Sequence, residues 1–170
     1  MNVKPVAEHD SKHVAAQASE RLAAHLALAY ASLIVYASLH PFSGWRDSGV
    51  SPWAFLEIAW PRYWTVFDLA VNLCAYLPLG FLLTLSLQRI GPRLAALSAL
   101  LLGALLSLGL ESLQNWLPSR VPSNLDLATN TLGTIVGVLL AVWHGHRFFR
   151  RVASLRRWLA PGIQDRKSVV

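Results

Sequence analysis

The chain is 170 residues long, 54% hydrophobic and only 14% charged, with a mean hydropathy of +0.41. A soluble domain of this size carries roughly 25% charged residues, so the composition argues against an ordinary water-soluble protein and for a small integral membrane protein without a separate soluble module. The net charge of +6 and the pI near 10.1 do not indicate a nucleic-acid partner: the basic residues flank apolar runs instead of forming a stripe, as positive-inside topology requires.

Residues 1–20 carry Lys4, Glu8, Asp10, Lys12 and Glu20 among scattered alanines and show no sustained apolar face. They are expected to form a flexible tail. The first apolar run, about 22–39, reaches the lower end of the roughly 17–25 residues needed to span a bilayer as a helix. Ala29-Tyr30-Ala31 resembles a small-x-small cleavage site, but the preceding tail is long and contains acids, and the apolar run continues past the site.

Residues 40–66 place Trp45, Trp53, Trp60, Tyr63 and Trp64 among prolines and glycines. Indole rings favour the headgroup region, so this connection is expected along the membrane surface, with Pro52 to Trp60 as a short interfacial helix. A second span is expected at about 67–87, with Pro78-Leu-Gly80 marking a kink. Gln88 to Arg93 forms a tight basic turn, followed by a third span at 94–110 and a fourth at 126–143. Residues 147–159 (RFFRRVASLRRWL) alternate basic pairs with apolar residues at helical spacing, which predicts a basic amphipathic helix for an anionic membrane surface. The domain reading is therefore a tail over 1–20, a transmembrane unit over 21–145 and a basic amphipathic tail over 146–170. The fold class is all-α: a four-helix membrane bundle plus the C-terminal helix, in two similar helix-hairpin halves.

With four spans, the N-terminal tail, the 88–93 turn and the C-terminal tail share one side, and they hold twelve of the fifteen lysines and arginines. Only Arg46, Arg62 and Arg120 lie on the other side, with five of the nine acids. Lys/Arg bias sets orientation, so both termini are expected in the cytoplasm and the protein in the cell (bacterial inner) membrane. Cys74 is the single cysteine, which excludes an intramolecular disulfide and any CxxC site.

Polar residues concentrate at the outer ends of the spans. Asp68/Asn72 and Asp126/Asn130 lie in nearly identical stretches, DLAVN and DLATN, and each pair is at i,i+4 on one helix face. Glu111 lies with Gln114 and Asn115 at the end of the third span, and Arg120 is the sole cation in the loop that follows. A carboxylate facing lipid is costly, so these groups are expected to point inward around one pocket. Each has a plainer reading. Asp68 and Asp126 suit helix N-caps, Asn72 and Asn130 suit interhelical hydrogen bonds, and Glu111 suits a structural bridge to Arg120. Tyr36 and Tyr76 suit packing, His40 suits the hydrated interface, and His144 and His146 at i,i+2 share no helix face and are assigned no metal. Gly133 and Gly137 form a GxxxG, which serves either packing within the bundle or a homo-oligomer.

The set Asp68-x3-Asn72-x3-Tyr76-x-Pro78-x-Gly80-Phe81, then Glu111-x2-Gln114, Arg120 and Asp126-x3-Asn130-x2-Gly133-x3-Gly137 resembles the VanZ-like family of bacterial multi-span membrane proteins. Tyr36 and Pro41-Phe42 at the end of the first span agree with it. The match covers roughly residues 30–140. The resemblance implies a cell-envelope role, through a namesake associated with low-level teicoplanin resistance, and implies no particular reaction.

Three functions are compatible with these residues. The first is a binding protein or envelope factor, in which Asp68, Asn72, Glu111, Gln114, Arg120, Asp126 and Asn130 form an outward-facing pocket for a lipid-linked or cell-wall intermediate, with Arg120 pairing an anionic group. The second is an intramembrane enzyme with Asp68, Glu111 and Asp126 as candidate acid–base groups; it needs no cofactor, unless these oxygens hold a divalent ion such as Mg²⁺ against a phosphorylated lipid. The third is a small transporter or structural subunit. In every case the lipid bilayer is the principal partner.

Overall fold

The computed structural model describes residues 6–159, and within them the side chains of residue 14 and residues 16–144. Four helices make up the fold: α1 (Val6–Leu39), α2 (Val66–Ser86), α3 (Pro92–Gln114) and α4 (Asn124–Leu159). No strand occurs among the described residues. Each helix contains a segment long and apolar enough to cross a membrane: Ala16–Leu39, Val66–Ser86, Pro92–Gln114 and Asn124–His144.

These boundaries extend the expected elements in three places and shorten one. Helix α1 begins at Val6, so the tail expected over 1–20 is largely helical. Its Ala, Glu, Lys and Gln residues carry high intrinsic helix propensity even without an apolar face. Helix α3 continues to Gln114, placing Glu111 in its last turn and not after its last residue. Helix α4 runs unbroken to Leu159, so 147–159 continues the fourth span and is not a separate helix; whether its two faces segregate lies outside the described side chains. The interfacial helix expected from Pro52 to Trp60 is a single 3-10 turn at Ala54–Leu56. Nine residues next to Pro61 give too few propagating hydrogen bonds to repay nucleation, and the loop is instead pinned by buried Phe55.

The bundle is up-and-down. At one end, Arg89 in the α2–α3 turn pairs with Glu20 of α1; at the other, the α3–α4 loop meets the C-terminal end of α1 through Arg120. The turn 88–93 is as tight as expected, with Gly91 at φ +93° and Pro92 as the first residue of α3.

Small residues supply much of the inward face, beside core side chains such as Tyr76, Leu79 and Leu85, and many leucines point outward. Ala23, Ala27, Ala95, Ala99, Ser107, Thr134 and Ala141 are buried, whereas Leu28, Leu33, Leu97, Leu101 and Leu105 are exposed. Lipid chains solvate leucine as well as a protein core does, so close backbone approach is left to hold the helices together. The contact between α2 and α4 is closest. A Cβ added to Gly80 would lie 2.3 Å from the Thr134 carbonyl oxygen, one on Gly133 2.3 Å from the Leu73 oxygen, and one on Gly137 2.1 Å from the Leu77 oxygen. Gly103 of α3 meets the Thr134 side chain at 2.6 Å in the same sense. Thr134 is thus wedged between α2 and α3. Gly133 and Gly137 serve packing within the bundle: both face α2.

Hydroxyls inside the spans are satisfied locally. Thr84, Ser112, Thr129, Thr131 and Thr134 each donate to the carbonyl four residues earlier, at 2.7–3.0 Å. In an apolar surrounding no water is available to do so.

Candidate functional site

Helices α2 and α4 run parallel, and their N-terminal ends lie side by side. Thr65 caps α2: its hydroxyl accepts the Asp68 N–H at 3.1 Å, and the Thr65 N–H donates to Asp68 Oδ2 at 3.0 Å, a reciprocal capping box. Ser123 holds the corresponding place in α4, accepting the Asp126 N–H at 3.3 Å. The repeat visible as DLAVN and DLATN therefore begins three residues earlier, as Thr65-x2-Asp68-x3-Asn72 and Ser123-x2-Asp126-x3-Asn130. The Ser/Thr-x-x-acid spacing is the sequence signal that would have identified both caps.

The two caps differ in one respect. The Ser123 N–H is not taken by Asp126 but donates at 2.8 Å to Oε2 of Glu111, which reaches across from α3. Glu111 is 4% exposed. Its carboxylate thereby leaves the unfavourable carbonyl end of α3 for the favourable amide end of α4. With its own cap served by another helix, Asp126 turns its carboxylate to the Asn72 amide, within electrostatic reach of Asp68 and Glu111.

Arg120 does not bridge Glu111, as one sequence reading had it. Its Nη2 donates to the carbonyls of Ala37 at 2.7 Å and His40 at 3.1 Å, closing the C-terminal end of α1, where backbone acceptors have no helical partner. Gln114 does similar work, donating to the Ser38 carbonyl at 3.2 Å. Asn115 and Asn124, polar members of the same stretch, tie the long 41–65 loop down through the carbonyls of Val50 and Ile58.

Between these anchors lies a cavity of about 530 Å³ that draws on all four helices and on the α3–α4 loop. Asn72, Glu111, Gln114, Arg120, Asp126 and Asn130 all line it, so six of the seven predicted site residues converge. The seventh, Asp68, is exposed and committed to its cap. It lines an adjoining cavity of about 380 Å³, with Tyr63, Trp64 and Phe67. Asn72 and Asp126 belong to both. The main cavity's remaining wall has an apolar part, from Leu33 and Ile34 of α1 and Val71 and Ala75 of α2, beside the hydroxyl residues Tyr30, Ser38, Tyr76 and Ser119.

At the inner end, Asn130 Nδ2 donates to Ser107 Oγ at 3.0 Å, and Tyr76 lies beside the same serine. Asn130 is 6% exposed, and its Oδ1 has no partner. Ser107 was missed by sequence reading, although its i,i+4 spacing to Glu111 places both on one face of α3. Tyr76, read as a packing residue, is both core and cavity lining. Among the described residues no three of His, Cys, Asp and Glu gather into a group that could hold a metal. One oxygen of Glu111 and one of Asp68 serve caps, whereas Asp126 meets only the Asn72 amide, itself a lining residue of both cavities.

Neither a curated protein nor a solved structure matches the chain. A family model does: VanZ/LLP1 matches residues 11–148, a stretch that takes in all four membrane-spanning segments and every residue of the cavity. The chain is a membrane protein belonging to the VanZ/LLP1 family.

Proposed function

We propose that the cavity is a binding site for the polar head of an amphiphilic cell-envelope intermediate, lipid-linked or cell-wall-derived, and that it opens on the outer face of the membrane. The observation that carries this reading is the convergence of six polar side chains from three helices and a loop on one cavity that also has an apolar wall from α1 and α2. A head group meets the amides and carboxylates while a chain lies along Leu33 and Val71, themselves exposed to the lipid side. The outward orientation rests on the Lys/Arg distribution, with twelve of fifteen on the side of both termini. A part in glycopeptide (teicoplanin) resistance belongs to the same proposal, and susceptibility of cells with and without the protein tests it.

The direct test fills the cavity. Ala37 lines it from the exposed side of α1, so Ala37→Trp blocks the opening without disturbing the core. Wild-type protein extracted with its lipids is expected to carry an envelope lipid, identified by mass spectrometry, that is depleted in Ala37→Trp. Equal recovery of the same lipids from both proteins sinks the reading.

A further inference from the structure

We propose that the head group recognised here is a primary ammonium, seated against Asp126 where the two cavities meet. The proposal deepens the head-group reading above and rests on it. Hydrogen-bonding capacity decides the class. Among the charged groups lining the main cavity, acceptors outnumber donors: the carboxylates of Asp126 and Glu111 stand against Arg120, and the Oδ1 of Asn130 is an acceptor without a partner. Asp68 adds a fourth acceptor group on the adjoining side.

Cationic charge is scarce here, and several donors are committed. Arg120 is the single lysine or arginine lining either cavity, so one positive charge stands against the carboxylates of Glu111, Asp126 and Asp68, and its Nη2 serves the carbonyls of Ala37 and His40. Gln114 Nε2 donates to Ser38, and Asn130 Nδ2 to Ser107. The amide ends of α2 and α4 point here too and would attract an anion, but Asp68 holds the Thr65 N–H and Glu111 holds the Ser123 N–H. A phosphate entering the site would face the carboxylates of Glu111, Asp126 and Asp68 with only Arg120 to offset them.

Asn130 supplies the independent observation. Its Oδ1 is buried and unpartnered, on a residue that lines the cavity, and a buried acceptor left unmet is costly. A ligand bearing N–H or O–H that reaches it satisfies it. A primary ammonium carries three donors and a positive charge, and so meets Asn130 and Asp126 together. The rings of Tyr63, Trp64 and Phe67 beside Asp68 add a surrounding that favours a cation over an anion. The amine can belong to a lipid head group or to a soluble molecule, and the experiment separates the two.

Purified protein in phosphatidylglycerol nanodiscs is titrated with dioleoyl phosphatidylethanolamine, with its N-acetyl derivative and with soluble phosphoethanolamine. Bound species are read by native mass spectrometry. The free-amine lipid is expected to bind at least about tenfold tighter than the N-acetyl lipid, as loss of a charge-assisted hydrogen bond implies. That preference is expected to shrink in Asp126→Asn and, independently, in Asp68→Asn, whose exposed site leaves the core untouched. Competition by phosphoethanolamine assigns the site to the amine alone; its absence, with the lipid preference intact, assigns it to a lipid amine. Equal binding of the two lipids, both abolished by Ala37→Trp, overturns the ammonium and leaves the head-group site standing. Binding of both unaffected by Ala37→Trp overturns the two readings together.

Discussion

Glu111 lies in the last turn of α3, where the carbonyl end of the helix disfavours a carboxylate, yet it is almost fully buried. Its bond to the Ser123 N–H accounts for this, because it satisfies an amide that the α4 backbone leaves unpaired. Glu111→Ala removes the acceptor and strands that amide, at a cost of about 1–3 kcal/mol. Unfolding in detergent should show the loss, with Glu111→Gln, which keeps an oxygen, costing less. If Glu111→Ala unfolded like the wild type, the cross-helix cap would not contribute to stability. Arg120→Ala likewise should loosen the junction between α1 and the α3–α4 loop, seen as faster protease cleavage around residues 41–65. Unchanged cleavage would mean that the two carbonyl contacts do not hold this junction.

At the scale of elements, the α2–α4 contact is set by glycines whose missing side chains admit a neighbouring backbone. Gly137→Ala forces a methyl to within 2.1 Å of the Leu77 carbonyl oxygen. A backbone atom cannot rotate away, so the helices must separate, at about 1–3 kcal/mol. Gly109→Ala in α3 provides the control, since a Cβ there meets nothing within 4 Å. It should be neutral or stabilise by up to about 1 kcal/mol through helix propensity. Melting temperatures of the two variants should move apart; a parallel shift would contradict the packing described. Because the GxxxG faces inward, Gly137→Ala should also leave the oligomeric state in light scattering unchanged.

For the whole molecule, the testable quantity is which way the bundle faces. In a Cys74→Ser background, Ser51→Cys should react with a membrane-impermeant maleimide added to intact spheroplasts, and Ser11→Cys only after lysis. The reverse pattern would place the cavity on the cytoplasmic side and remove the support for an envelope ligand. Trp45, Trp53, Trp60 and Trp64, all exposed in the 41–65 loop, should be quenched by lipids brominated near the headgroup more than by lipids brominated near the chain ends.

The sequence by itself determined the membrane class, the number of spans and the gathering of polar residues near one end of the bundle. These depend on composition and on helical period, which are local properties: a run of apolar residues must be helical in lipid, and i,i+4 spacing puts Asp126 and Asn130 on one face wherever the helix goes. The Gly133 and Gly137 spacing was equally visible, but its partner was not. Only the tertiary structure decided that α2 receives those glycines, that Glu111 caps α4 instead of meeting Arg120, and that Arg120 closes α1. Each of these joins residues distant along the chain, and a donor or acceptor in a sequence does not say which of several compatible partners packing will bring within 3 Å. The orphaned Oδ1 of Asn130 belongs to the same class: a missing partner becomes visible only when every neighbour has been placed.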